Sequence, residues 1–183
     1  MIYLLPVSHD VQFNFHHLSG ELKRYLLELI TEKEIDIICE EANEEVWRLS
    51  SIPLQVSADC SIDYIPCEPS KGEGEKLGIL PANWQEVFAE DLAKEIVKTG
   101  LSLNALKNLD KKFAKSNAIR EGFWLKKIQP HKQRNVIFIL GIGHLSSNPK
   151  GAKLSKGFDK LLEANGFQVE VLSTQFVNPK FLV

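Results

Sequence analysis

The sequence predicts an α/β fold: a mainly parallel sheet of four to five strands, helices on both faces, and a helical insertion around 83–129. Three observations carry this. Val136-Ile-Phe-Ile-Leu140 is an unbroken apolar run of strand length, as expected for a strand covered on both faces. Further short apolar stretches alternate with segments of helical periodicity. Strands joined through helices form βαβ units, with right-handed crossovers and a parallel sheet.

The first strand, 2–7, ends around Pro6 and the polar Ser8-His9-Asp10. A loop over 11–17 leads to a helix with Ser19 as its N-cap and Glu21 in the first turn, where an acid suits the helix dipole. Leu22, Tyr25, Leu26, Leu29 and Ile30 share one face at helical spacing. A second strand, 35–39, runs into Glu40 and Glu41. A helix with Val46, Trp47 and Leu49 follows and is interrupted at Pro53, and 57–59 ends another helical piece. Pro66 suits the third strand, 62–67, to a sheet edge or a strand end. Residues 68–74 have loop composition. Asn83 and Glu86 make a variant capping box for a helix that Gly100 ends. Residues 101–129 are helical, with a break near Lys115-Ser-Asn117, and stop before Pro130. After the fourth strand, 136–140, and a Gly turn, a helix is expected over 151–165 and a last strand over 167–172. The tail from Ser173 has no assignable pattern.

A chain of 183 residues fits a single domain, 1–183, with a full core. Its 44% hydrophobic and 25% charged residues are ordinary for a soluble protein. A net charge of −2 gives no electrostatic reason to expect nucleic acid or an anionic membrane as partner. No apolar run approaches the ~20 residues of a membrane span. The opening residues lack the basic start and long apolar core of a signal peptide. Cys39, Cys60 and Cys67, an odd count in apolar surroundings, suit reduced thiols and a cytoplasmic setting.

His9 follows the first strand, Glu40 and Glu41 the second, Glu68 the third and His144 the fourth. A parallel sheet brings all these ends to one edge, where open α/β sheets place their chemistry. Two imidazoles with carboxylates suit Zn²⁺, Mn²⁺ or Fe²⁺, and an ion with an open position activates water near neutral pH. Without an ion, the same groups serve as general acid and base. Glu40 and Glu41 cannot both point the same way, so one of them belongs only to the acidic first turn of the following helix. Arg120 has two readings. Either it stacks on Trp124 and holds a carboxylate of the substrate or site, or it forms a surface ion pair with Glu121 or a neighbour. Gly141-Ile-Gly-His-Leu-Ser146 falls short of a dinucleotide fingerprint, since Ser146 replaces the third Gly and no acid ends the following strand. Lys150, Lys153, Lys156 and Lys160 line a solvated helix face.

Several stretches together resemble a known family. They are Asp36-Ile-Ile-Cys-Glu-Glu41, Cys67-Glu-Pro69 with Lys76-Leu-Gly-Ile79, Arg120-Glu-Gly-Phe-Trp-Leu125, Val136-Ile-Phe-Ile-Leu-Gly-Ile-Gly-His144 and Gly166-Phe-Gln-Val169. In combination they look like the TraB/ChaN/Tiki/erythromycin-esterase superfamily, over about Met1 to Leu172. That resemblance implies an α/β sheet with a site at its strand ends. It also implies one of several activities, since the superfamily includes metal-dependent peptidases, a macrolide esterase and iron- or haem-linked binding proteins. By motif, the family's histidines fall on His9 and His144, its carboxylate on Glu40 or Glu41, and its arginine on Arg120. Two departures stand out: Pro6-Val-Ser-His9 lacks the usual Gly, and Glu68-Pro69 replaces Asp-Pro.

The expectation is therefore a cytoplasmic hydrolase of ester or amide bonds, acting on a small molecule or peptide, with or without a divalent metal. His9 and His144 are ligands or acid–base groups, Glu40 or Glu41 a ligand or base, and Arg120 an anion holder. The alternative is a non-catalytic protein binding haem, a metal or a small anion at the same edge. Oligomeric state is not legible in the sequence.

Overall fold

The computed structural model describes residues 1–13, 16–43, 51–80, 94, 97, 103–147, 156–173 and 176. Its strands are β1 (Ile2–Pro6), β2 (Ile37–Glu40), β3 (Asp63–Pro66), β4 (Val136–Leu140) and β5 (Val169–Val171). All pair in parallel, in the order β3-β2-β4-β1-β5. Register is set at the centre, where Val136 lies opposite both Ile2 and Ile37.

The described helices are α1 (Ser19–Glu32), α2 (Ile52–Cys60), α3 (Lys71–Leu77), α4 (Leu103–Ile128) and α5 (Phe158–Ala164). Strand alternation sorts the core into two layers. Leu5, Ile38, Ile137 and Ile139 pack against Leu22, Leu26 and Leu29 of α1 and Ile52 and Val56 of α2. Ile2, Leu4, Ile37, Val136 and Phe138 pack on the other face against Trp124 and Ile128 of α4 and Phe158 and Leu162 of α5. The continuous apolar run of β4 is thereby explained: every one of its residues is buried, alternately against one helix layer and the other.

Several local expectations give way. Leu18, not Ser19, precedes the first turn of α1, and its N–H is satisfied by His16 Nδ1 at 3.2 Å. Pro53 opens a helix and does not interrupt one: Ser51 caps α2 by accepting from the Leu54 N–H at 3.2 Å, and a proline in the first turn forfeits no hydrogen bond. Within the loop-like 68–74, a capping box between Ser70 and Glu73 starts α3, and Gly78 ends it at φ 75°. Helix α4 has no break at 115–117, because the buried Ser116 hydroxyl accepts the Leu80 N–H at 2.9 Å and ties the helix to the preceding chain. Pro66 does lie on an edge strand, and β5 forms the opposite edge. The expected helices carrying Trp47 and Asn83 lie outside the described residues, as does most of the tail. No described helix is long and apolar enough to cross a membrane.

The helix expected over 151–165 begins, where described, only at Phe158. Gly157 precedes it at φ 92°, and a Cβ there would stand 2.5 Å from both Ser146 N and Asp159 Oδ1. The close approach serves Asp159, which is buried and accepts from both the backbone N–H and the hydroxyl of Ser146. Gly157→Ala is expected to destabilise the protein by ~2 kcal/mol or more, since φ strain and a backbone clash add. A chemical-denaturation midpoint within error of wild type would show that this turn relaxes freely.

Candidate functional site

All four strand ends that carry titratable residues reach one edge of the sheet. His9 opens the 3-10 turn His9–Gln12 after β1, Glu41 follows β2, Glu68 follows β3, and His144 closes the 3-10 turn Ile142–His144 after β4. The chain leaving β2 leads to α2 on one face, while that leaving β4 leads to α5 on the other. Such a divergence between adjacent parallel strands opens a crevice at their carboxyl ends.

Period-two alternation sends Glu40 and Glu41 to opposite faces. Glu41 is buried against the α4 side. Its Oε2 accepts the Gly141 N–H at 2.7 Å, and its Oε1 lies 3.3 Å from His144 Nε2 and 3.7 Å from His9 Nε2. Burial alone would raise its pKa, but the two histidines, His144 foremost, outweigh that and hold the carboxyl well below the usual range. Gly141 permits this approach, since a Cβ there would come within 3.1 Å of His9 Nε2.

His144 is buried, with Nδ1 2.9 Å from Glu121 Oε1 of α4 and the Trp124 ring edge-on at a centroid distance of 4.7 Å. Burial works against the imidazolium, yet Glu41 and Glu121 together raise its pKa to about 9. Both ring nitrogens then donate, one to each glutamate. A raised pKa means the contribution to stability is fully present below the ordinary histidine value of 6.5 and is lost as pH rises through about 9. Between pH 7 and 9, unfolding free energy should fall by up to ~1.4 kcal/mol per pH unit from this one group. Denaturation series at several pH values check this, and the slope between pH 8 and 9 should shrink in His144→Ala.

Glu68 faces the same side. Its Oε1 accepts the Trp124 indole N–H at 2.9 Å, and its Oε2 stands 3.2 Å from Arg120 Nε. Burial raises its pKa to about 7 against the opposing pull of Arg120. Arg120 Nη2 donates to the Leu80 carbonyl at 3.3 Å. The expected partner Glu121 is taken instead by His144, and Trp124 offers its ring to His144 and its N–H to Glu68.

Glu40, a candidate ligand by sequence, is set apart by the same alternation. Its Oε2 accepts from Ser51 at 2.6 Å and from the Tyr64 hydroxyl. Burial raises it to about 7, opposed by these two hydrogen bonds. It is a buried strand residue on the α2 side, not a solvated first-turn acid. Sequence reasoning missed Glu121, Ser51 and Tyr64 as partners. The available signal for Glu121 was its spacing: it lies three residues before Trp124, on the same helix face.

The donor set fits a divalent ion in chemistry. His9 Nε2, Glu41 Oε1 and His144 Nε2 meet around one carboxylate oxygen, and Glu121 on Nδ1 is the outer partner that metal-binding histidines characteristically have. Among the described residues no three such side chains are gathered at full ligand spacing. No family model matches the chain, and no curated protein or solved structure matches it.

Proposed function

We propose that this chain hydrolyses an ester or amide bond of a small molecule or peptide at the His9–Glu41–His144 cluster. The observation that carries the reading is the buried chain Glu121–His144–Glu41 at an open sheet edge, with His9 approaching the same carboxylate from the solvent side. A divalent ion held by His9, Glu41 and His144 would supply Lewis acidity and make water a nucleophile near neutral pH. Glu121 fixes the His144 tautomer by accepting from Nδ1, which reserves Nε2 for the ion or, without one, for a proton. Glu41, kept ionised, accepts a hydrogen bond from that proton and holds it on the imidazole. His9 can deliver or accept protons at the mouth of the site. Arg120 and Trp124 hold Glu68 in place beside the cluster. The resemblance to the TraB/ChaN/Tiki/erythromycin-esterase superfamily points the same way, and the free thiols of Cys39, Cys60 and Cys67 suit a reducing, cytoplasmic setting.

Elemental analysis of protein purified without added metal or chelator tests the metal, and a panel of generic esters and peptides with Zn²⁺, Mn²⁺ or Fe²⁺ tests the reaction. Metal near one equivalent and turnover lost in His144→Ala support the reading. Metal binding without any turnover would leave a binding protein.

A further inference from the structure

The entry of α1 is fastened by an imidazole. His16 Nδ1 accepts the Leu18 N–H at 3.2 Å, and the His16 carbonyl accepts the Ser19 N–H at 3.0 Å. Backbone donors at a helix start lack intrahelical acceptors and must find others. The usual side-chain acceptors there, from Ser, Thr and Asn, do not titrate. This one does.

An imidazole nitrogen accepts a hydrogen bond only while it carries no proton. The neutral ring of His16 therefore has its proton on Nε2, which lies 3.6 Å from Asp10 Oδ2. A second proton would have to sit on Nδ1, where it would set an N–H against the Leu18 N–H, donor facing donor. The groups around the ring then pull it one way. His17 stacks on it at a centroid distance of 4.3 Å and repels it when both are charged. Asp10, from the 3-10 turn His9–Gln12, attracts it on the Nε2 side. Glu21 is the acid that α1 carries in its first turn. The His16 side chain is 19% exposed, so the ring has a way out toward solvent, and Asp10 is 59% exposed at that mouth.

We propose that His16 is an acid-released latch. Neutral, it holds the entry of α1; protonated, it leaves Leu18 and turns to Asp10, the residue next to His9. Val11, Phe13, Leu22 and Leu26 are buried and anchor both flanking elements, so release opens the helix entry and leaves the core closed. The latch requires neither metal nor turnover and stands apart from the hydrolase reading.

The test is imidazole NMR with amide hydrogen exchange on the full-length protein between pH 5 and 8, the span in which histidines commonly change charge. At the alkaline end, long-range proton–nitrogen spectra should show His16 protonated on Nε2 and bare on Nδ1. On acidification the protection factor of the Leu18 amide should fall by roughly fivefold or more, in step with the His16 ring signals. His16→Asn puts an amide oxygen near the place of Nδ1 and cannot titrate, so in that variant Leu18 should stay protected at the acid end. The amides of β4 are the internal reference and should keep their protection throughout. Three results overturn the proposal: His16 protonated on Nδ1 at the alkaline end, Leu18 protection that is constant while His16 titrates, or an acid loss that persists in His16→Asn. Parallel loss of protection in β4 would mean general unfolding and overturns it equally.

Discussion

Trp124→Ala is expected to destabilise the protein by ~3–5 kcal/mol, the cost of deleting a large buried aromatic side chain. Trp124 is fully buried, with ring centroids 5.4 Å from Phe138, 5.2 Å from Phe158 and 4.7 Å from His144. Alanine would leave a cavity between α4, β4 and α5 and strip Glu68 of its indole donor. Set against a typical total stability of ~5–15 kcal/mol, that loss brings the protein close to unfolding. Trp124→Phe separates the two contributions. It keeps most of the ring and leaves Glu68 Oε1 without its indole donor, so a loss of ~1–3 kcal/mol is expected. Urea denaturation of both variants decides the matter. If alanine costs less than ~1 kcal/mol, the aromatic cluster is not what fastens α4 to the sheet.

The second large effect is on the site and spares the fold. Glu121→Gln should lower divalent-metal affinity by roughly 10–100-fold, the usual consequence of altering the outer partner of a metal-bound histidine. The amide oxygen can still accept from His144 Nδ1, so packing should change little, while Tm should fall modestly because the buried imidazolium loses one of its two carboxylates. What is lost is the negative charge that, with Glu41, raises the His144 pKa. The pH at which activity or metal binding rises should therefore move downward in the variant. Competition of the protein with a chromophoric chelator measures the affinity. An unchanged affinity would place Glu121 among the structural residues and weaken the case for an ion on His144.

The convergence of His9, Glu41 and His144 was legible because each ends a short apolar run, and parallel pairing aligns such ends. What the local pattern lacks is the face. Alternation says that Glu40 and Glu41 diverge, but which of them meets His144 is decided by α4, some eighty residues further along. Helix α4 itself was legible only as a helix. Its rotation about its axis fixes Glu121 on His144 and Arg120 on Glu68, and that rotation follows from Trp124 seating between Phe138 and Phe158. The stretch 68–74 read as a loop because its Gly and Pro residues lower helix propensity, whereas Ser70, Glu73 and Gly78 act as caps that outweigh them. Gly157 gave no signal, since the atoms it makes room for lie in the turn after β4 and in α5.

The strand order also bears on how the molecule assembles in time. β1 and β2 are not neighbours, because β4 fills the place between them. Until residues 136–140 have emerged from a ribosome, β1 has neither of its partners, while β2 and β3 can pair only with each other. Closure of loops this long is entropically costly and slows folding. No partial chain that stops short of β4 can preform the His9–Glu41–His144 edge, because Glu41 is held by Gly141 and approached by His144 only after insertion. Acquisition of the site is thus tied to insertion of β4 between β1 and β2. In refolding, metal uptake should rise with the same rate constant as amide protection in β1, with no earlier binding-competent species.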